Sequence, residues 1–221
     1  MKGSLRLARP RRGASLLELM AAVSLSLLAL SVLASVIVPA FKATGQSGAR
    51  LEMQQQATVV LRRISRDMQR SLPEGLALLD DTNGLVLSIH AIVGVAGSEP
   101  PVRVFARQLV FYAFRPADGS VRREVWPADP AHPGPLPGVK APDGTVALAP
   151  TPASLQWVLS NPLSGQRLAS QVKSLKIETS APSPSVASPV TLTIEMERAL
   201  PGRTRPTRFS LSQVLSLRNN E

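Results

Sequence analysis

The sequence predicts an α+β protein, in which one long N-terminal transmembrane helix continues into a helix packed on an antiparallel β-sheet. Three observations carry that expectation. Residues 14–41 form an apolar run broken by a single charge, Glu18. Apolar residues then recur at helical spacing between positions 57 and 72. From position 73 onward, short aliphatic and β-branched runs alternate with loops rich in Pro, Gly and Ser.

The apolar run comes first. Residues 19–41 are 23 positions without a charge. As a helix they rise about 35 Å, enough to cross a hydrocarbon core of about 30 Å. A cleavable secretory signal has an apolar region of only about 7–15 residues, so this run is too long for one. The same length argues against reading Arg11-Arg12 as a twin-arginine export signal. Serines at 24, 26, 31 and 35 can bond back to their own helix. Pro39 should kink or loosen the outer end. Of the 25 Lys and Arg residues, five lie among the first thirteen positions with no acid, so half of the +10 net charge is concentrated there. Only Lys42 and Arg50 follow the run closely. By the positive-inside rule the N-terminus stays cytoplasmic and the remainder is exported, giving a single-pass membrane protein.

Glu18 is the anomaly. A carboxylate in an apolar helix costs on the order of 2–3 kcal/mol near its centre and less near the interface. It can snorkel to the cytosolic face, or it can be matched by a cation. A cut between Gly13 and Ala14 would create such a cation. The new α-amino group would lie four residues before Glu18, on the same helix face. Gly13 suits a cut site because it leaves the backbone open to a protease.

The segment Arg11-Arg12-Gly13-Ala14-Ser15-Leu16-Leu17-Glu18-Leu19-Met20 resembles the class III signal of type IV prepilins and type II secretion pseudopilins. The resemblance implies that a prepilin peptidase cuts after Gly13 and that the new N-terminus, Ala14, is N-methylated. It implies that Glu18 is the assembly residue, pairing with the terminal amine of a neighbouring subunit. The first mature position holds Ala14, where the family usually carries Phe or Met.

Beyond residue 41, Gly45 and Gly48 weaken the helix locally, each by about 1 kcal/mol relative to Ala. A strong pattern resumes from 50 to 71. Ala57, Leu61, Ile64, Met68 and Leu72 form one stripe, which should pack on the following β domain. Arg62, Arg63, Arg66 and Arg70 lie off it, with Asp67 spaced to pair with Arg63 and Arg70. Pro73 is expected to end the helix. The expected organisation is therefore a basic leader over 1–13, a transmembrane helix over 14–41, an amphipathic helix over 42–72 and an extracytoplasmic β-rich head over 73–221.

Within the head, strands are expected at 85–93, 102–105, 109–115, 120–126, 155–159, 168–178, 190–197 and 209–217. Turns are expected at Asp81-Thr82-Asn83-Gly84 and Pro116-Ala117-Asp118-Gly119. Residues 127–152 hold eight prolines and read as a long irregular loop. This order resembles the J-class minor pseudopilin of type II secretion and the equivalent minor pilin of type IV pili. The resemblance rests on Arg66-Asp67-Met68-Gln69, on Val110-Phe111-Tyr112 before Arg122-Arg123-Glu124-Val125, on Val172-Lys173-Ser174-Leu175 and on Leu217-Arg218-Asn219. It implies a pilin-like fold in a tip or priming complex. The implied partners are the prepilin peptidase, other minor pilins or pseudopilins, the major subunit and inner-membrane lipid. Because the apex subunit often lacks the glutamate, Glu18 argues against the apex position.

The chain offers little for catalysis. It has no cysteine, which excludes disulfides, thiol chemistry and Cys-based metal sites. Its two histidines sit in an apolar strand (His90) and a Pro-rich loop (His132), outside any nucleophile motif. Asp80-Asp81-Thr82-Asn83-Gly84 lacks the spacing and distal glutamate of a calcium loop. Trp126 and Trp157 border the Pro-rich loop as core edges or partner contacts. Eight aromatics and no dense basic patch outside the leader argue against nucleic acid. The expectation is an assembly protein with no catalytic residue, metal or cofactor. Two alternatives stand beside it: a signal-anchored periplasmic binding or adaptor protein outside any filament, and an anchored hydrolase using His90 or His132.

Overall fold

The computed structural model describes residues 15–97, 102–129, 131, 134, 136–161, 165–201 and 205–217. The leader, Gly13 and Ala14, His132, Arg218 and Asn219 lie outside them. A single helix, α1 (Leu16–Gln69), opens the described chain, and nine strands and a short helix follow. The fold is α+β, as the sequence predicts. The chain divides into two compact units between Ser47 and Gly48.

In the first unit the apolar part of the helix, from Leu16 to Phe41, is exposed, with Leu16 at 80% and Phe41 at 75%. Among the described residues it is the one helix long and apolar enough to cross a membrane. Its serines are satisfied as expected. Ser24 Oγ donates to Met20 O at 2.9 Å, Ser26 to Ala22 O at 2.8 Å, Ser31 to Leu28 O at 2.8 Å and Ser35 to Val32 O at 2.7 Å. Four hydroxyls that would be costly in hydrocarbon are thereby hidden in the helix. The helix runs on through Pro39, Gly45 and Gly48 without interruption, where the sequence suggests a weakening. The division between the units nevertheless falls at that glycine pair.

The second unit begins with the rest of α1. The predicted stripe is buried: Ala57, Leu61, Ile64, Met68 and Leu72, joined by Met53 and Val60. The helix ends at Gln69, not at Pro73. Strand β1 (Ser71–Asp81) starts at once and contains Pro73, at a register irregularity between Ser71 and Leu76. A proline is tolerated there because β1 is an edge strand. Its outer edge is bonded by the 180–189 loop, through Leu78 N to Pro184 O at 2.8 Å and Ser183 Oγ to Leu78 O at 2.9 Å.

The larger sheet continues through β2 (Gly84–Ala96), β3 (Val102–Phe105), β4 (Leu109–Arg115), β5 (Ser120–Trp126) and β6 (Gly165–Ala169). Its order is β1-β2-β4-β5-β6, with β3 also paired to β2, and every pairing is antiparallel. A second antiparallel sheet holds β7 (Val172–Thr179), β8 (Val190–Arg198) and β9 (Thr207–Leu215). The predicted single strand at 168–178 is thus two strands in different sheets. The switch occurs at Gln171, whose φ is 61° and whose carbonyl accepts from Glu197 N at 3.0 Å.

Side-chain alternation distributes the core. Leu85, Leu87, Ile89, Tyr112 and Phe114 face the helix stripe and the β7–β9 sheet. Val86, Phe111, Ala113 and Ala77 point the other way, into a second cluster with Trp126, Leu136, Leu155, Val158 and Leu159. The larger sheet is therefore covered on both faces. That explains why β2 is buried without interruption from Gly84 to His90.

The segment 155–159, expected as a strand, folds differently. It belongs to a helix, α2 (Pro152–Ser160), not to a strand. Thr151 is its N-cap, with Oγ1 accepting from Ser154 N at 3.3 Å, and Pro152 occupies the first turn. A five-residue apolar run fits either period, and here the capping residues decide.

Candidate functional site

The sequence singles out the start of α1. Ser15 precedes the helix and Glu18 sits in its first turn. Glu18 N donates to Ser15 Oγ at 3.2 Å, and Ser15 N donates to Glu18 Oε2 at 3.4 Å. This reciprocal pair is a capping box, satisfying two amide donors that the helix start would otherwise leave open. Glu18 therefore has a local structural role that the membrane argument alone does not give it. The Ser15 contact is long for an N–H···O bond, and a carboxylate offers about four acceptor positions. Capping leaves most of the acceptor capacity, and the whole negative charge, available. The helix macrodipole also favours a negative group in this turn. Gly13 and Ala14 fall outside the described residues.

Among the described residues of the head, three of the polar clusters are part-buried structural joints. The first ties α1 to the sheet. Asp67 Oδ2 accepts from Tyr112 Oη at 2.6 Å and from Arg123 Nε at 3.3 Å. The sequence expects Asp67 to pair along the helix with Arg63 and Arg70. It points instead toward β4 and β5, because the neighbouring stripe is buried and carries it inward. Burial and the adjacent carboxylate push the Tyr112 phenol well above its ordinary range.

At the second joint, Arg115 Nη1 donates to Glu124 Oε1 at 3.1 Å, and the Glu124 side chain is 0% exposed. The same guanidinium donates from Nε to Leu159 O at 3.0 Å and from Nη2 to Val158 O at 2.9 Å. Arg115 thus closes the C-terminus of α2, where carbonyls lack partners and a cation is favoured. Sequence reading missed this joint, since nothing in the local pattern links positions 115, 124 and 159.

The third joint is His90. Its Nδ1 accepts from Leu148 N at 2.8 Å, so Nε2 carries the proton and donates to Ala106 O at 2.7 Å. The ring is buried and lies 4.9 Å from the Phe105 ring. Burial pushes its pKa below the usual imidazole value of 6.5, against the pull of the Ala106 carbonyl and Asp143. Both ring nitrogens are thereby committed to backbone groups. The turn at Asp81 behaves as predicted: Asp81 Oδ1 accepts from Asn83 N at 2.7 Å and Gly84 N at 3.1 Å. Among the described residues, no group of His, Asp and Glu is arranged to hold a metal ion. Trp126 is buried at the core edge, with Nε1 donating to Gly134 O at 2.9 Å.

No protein-family model, no curated protein and no solved structure matches this chain.

Proposed function

We propose that this chain is a minor pilin or pseudopilin subunit, similar to the J-class minor pseudopilin. In this reading a prepilin peptidase cuts after Gly13, and the mature helix anchors the subunit in the inner membrane. The N-terminus faces the cytoplasm and the β head faces the periplasm or the exterior. The subunit then joins other minor subunits in a tip or priming complex of a type IV pilus or a type II secretion pseudopilus.

The observation that carries the reading is Glu18, one carboxylate in the first turn of a helix whose next 23 residues are uncharged and whose large apolar side chains are exposed. An exposed helix of this composition calls for lipid or for other helices as its surroundings. In either setting the acidic group is costly until a cation meets it. The Ala14 amine of a neighbouring subunit would supply that cation and fix the axial register between the two helices. The order of elements supports the same reading, with a long apolar helix leading into a helix packed on antiparallel sheet, as expected of pilin-like architecture.

The capping box defines the test. Glu18→Gln keeps a side-chain acceptor for the Ser15 amide and removes the charge. Glu18→Ala removes both. If charge pairing drives assembly, both variants insert in the membrane and both fail to enter the filament. Normal incorporation of Glu18→Gln would reduce Glu18 to a helix cap and overturn the proposal.

A further inference from the structure

We infer that His90 is a pH-operated latch, which fixes the backbone of residues 143–148 at its Leu148 end while the imidazole is neutral and loosens it when the ring is protonated.

The geometry is specific about the proton. With Leu148 N–H pointing at Nδ1, that nitrogen must present its lone pair. The single ring proton is then on Nε2, facing Ala106 O. A second proton has only Nδ1 to occupy, and there it would meet the Leu148 N–H head-on across 2.8 Å. Protonation therefore converts an acceptor–donor contact into a donor–donor contact, inside a site with no water-facing side.

The His90 contact comes from β2, and the segment's hydrogen bond to β3 lies at its other end. Asp143 Oδ1 accepts from Thr145 N at 2.8 Å and shapes a tight turn. At its apex Gly144, with φ of +85°, offers its carbonyl to Phe105 N at 2.9 Å. Leu148 is the next anchor along the chain, through its amide on His90 and through a half-buried side chain packed on the second core cluster. Losing the amide bond frees the backbone at the Leu148 end of the segment, while the turn stays attached to β3 by the Gly144 bond.

The charged groups around the ring set the direction. Asp143 lies in the held segment and favours the imidazolium. The elements packed about it also carry Glu74, Asp80 and Asp81 on β1, Arg103 on β3 and Arg107 in the β3–β4 link, and Glu74 and Arg103 have partners of their own. Desolvation outweighs these effects and keeps the ring neutral, so the latch is closed at neutral pH and opens in acid below 6.5. On the reading proposed above the head is extracytoplasmic, and there it would experience the external pH, which makes that range accessible.

The test uses the full chain in detergent micelles, with ¹⁵N-labelled histidine and His132→Gln to assign the His90 signals. At pH 8 the Nδ1 resonance should be that of an unprotonated, hydrogen-bonded nitrogen. Amide hydrogen exchange is then followed from pH 8 to 5, corrected for chemical exchange rates. Peptides covering 143–148 should lose at least about tenfold in protection across the His90 titration, while peptides from β7–β9 keep theirs. In His90→Gln the response to pH should vanish. The inference is overturned if Nδ1 carries the proton at pH 8, if protection of 143–148 is the same on both sides of the titration, or if His90→Gln retains the wild-type response.

Discussion

The Tyr112 hydroxyl donates to Asp67 Oδ2 at 2.6 Å, joining the last turns of the long helix to the centre of the larger sheet. Arg123, on the neighbouring strand, reaches the same oxygen at 3.3 Å. The helix stripe supplies apolar contact over many residues. This joint fixes its register against β4 and β5, since a carboxylate has a defined partner where a leucine has only a surface.

Tyr112→Phe should therefore cost about 1.5–3 kcal/mol, the range for a hydrogen bond to a charged group. Asp67→Ala should cost more, because it strands both the phenol and the guanidinium. Chemical denaturation of the full chain in micelles checks both. The sign with pH also follows. The folded phenol titrates above its unfolded value of 10, so its contribution is complete below pH 10 and is lost as pH rises further.

Arg115 and Glu124 make a joint of a different kind. Glu124 is fully buried, and Arg115 also caps the end of α2. Arg115→Met should destabilise the head by about 3–5 kcal/mol, by breaking its ion pair with the buried Glu124 carboxylate. Adding Glu124→Met should restore a large part of that loss. Without such recovery in a double-mutant cycle, the contribution of Arg115 would lie in helix capping alone.

His90 predicts an acid limb in the stability curve. Its folded pKa lies below 6.5, so below that pH the unfolded chain binds the extra proton first. The contribution is complete above pH 6.5 and is lost as pH falls toward the folded pKa. Melts taken between pH 8 and 5 should show this slope in wild type and a shallower one in His90→Gln.

Gly84 closes the β1–β2 hairpin at φ of +143°, and an added Cβ would lie 2.2 Å from Phe114 O. Gly84→Ala should cost about 3 kcal/mol or more, since the backbone conformation and the contact both oppose it. A loss below 1 kcal/mol in denaturant titration would contradict the tight approach of β1–β2 to β4.

Much of this architecture is legible along the chain. Strands β3, β4 and β5 begin and end where alternation and turn residues place them. The stripe from Ala57 to Met68 is buried as its spacing requires. The failures share a cause, which is that the deciding partner is remote. Residues 155–159 carry too short an apolar run to choose a period, and Thr151 and Arg115 choose it for them. Strand β1 is hidden by Pro73, which reads as a stop until its edge position is known. Asp67 lies at helical spacing from two arginines, yet Tyr112 is 45 positions away and wins because it is buried beside it. At the helix start, sequence reading found Glu18 through its cost in an apolar run but overlooked Ser15 three positions earlier, although that spacing is itself a capping signature.

The central claim is that processing creates a positive terminus four residues ahead of Glu18. Intact-mass and N-terminal peptide analysis of the membrane-extracted protein, made in cells that contain a prepilin peptidase, tests it directly. The account predicts a chain beginning at Ala14. A chain still carrying Met1, or one cut at any bond other than Gly13–Ala14, would contradict it.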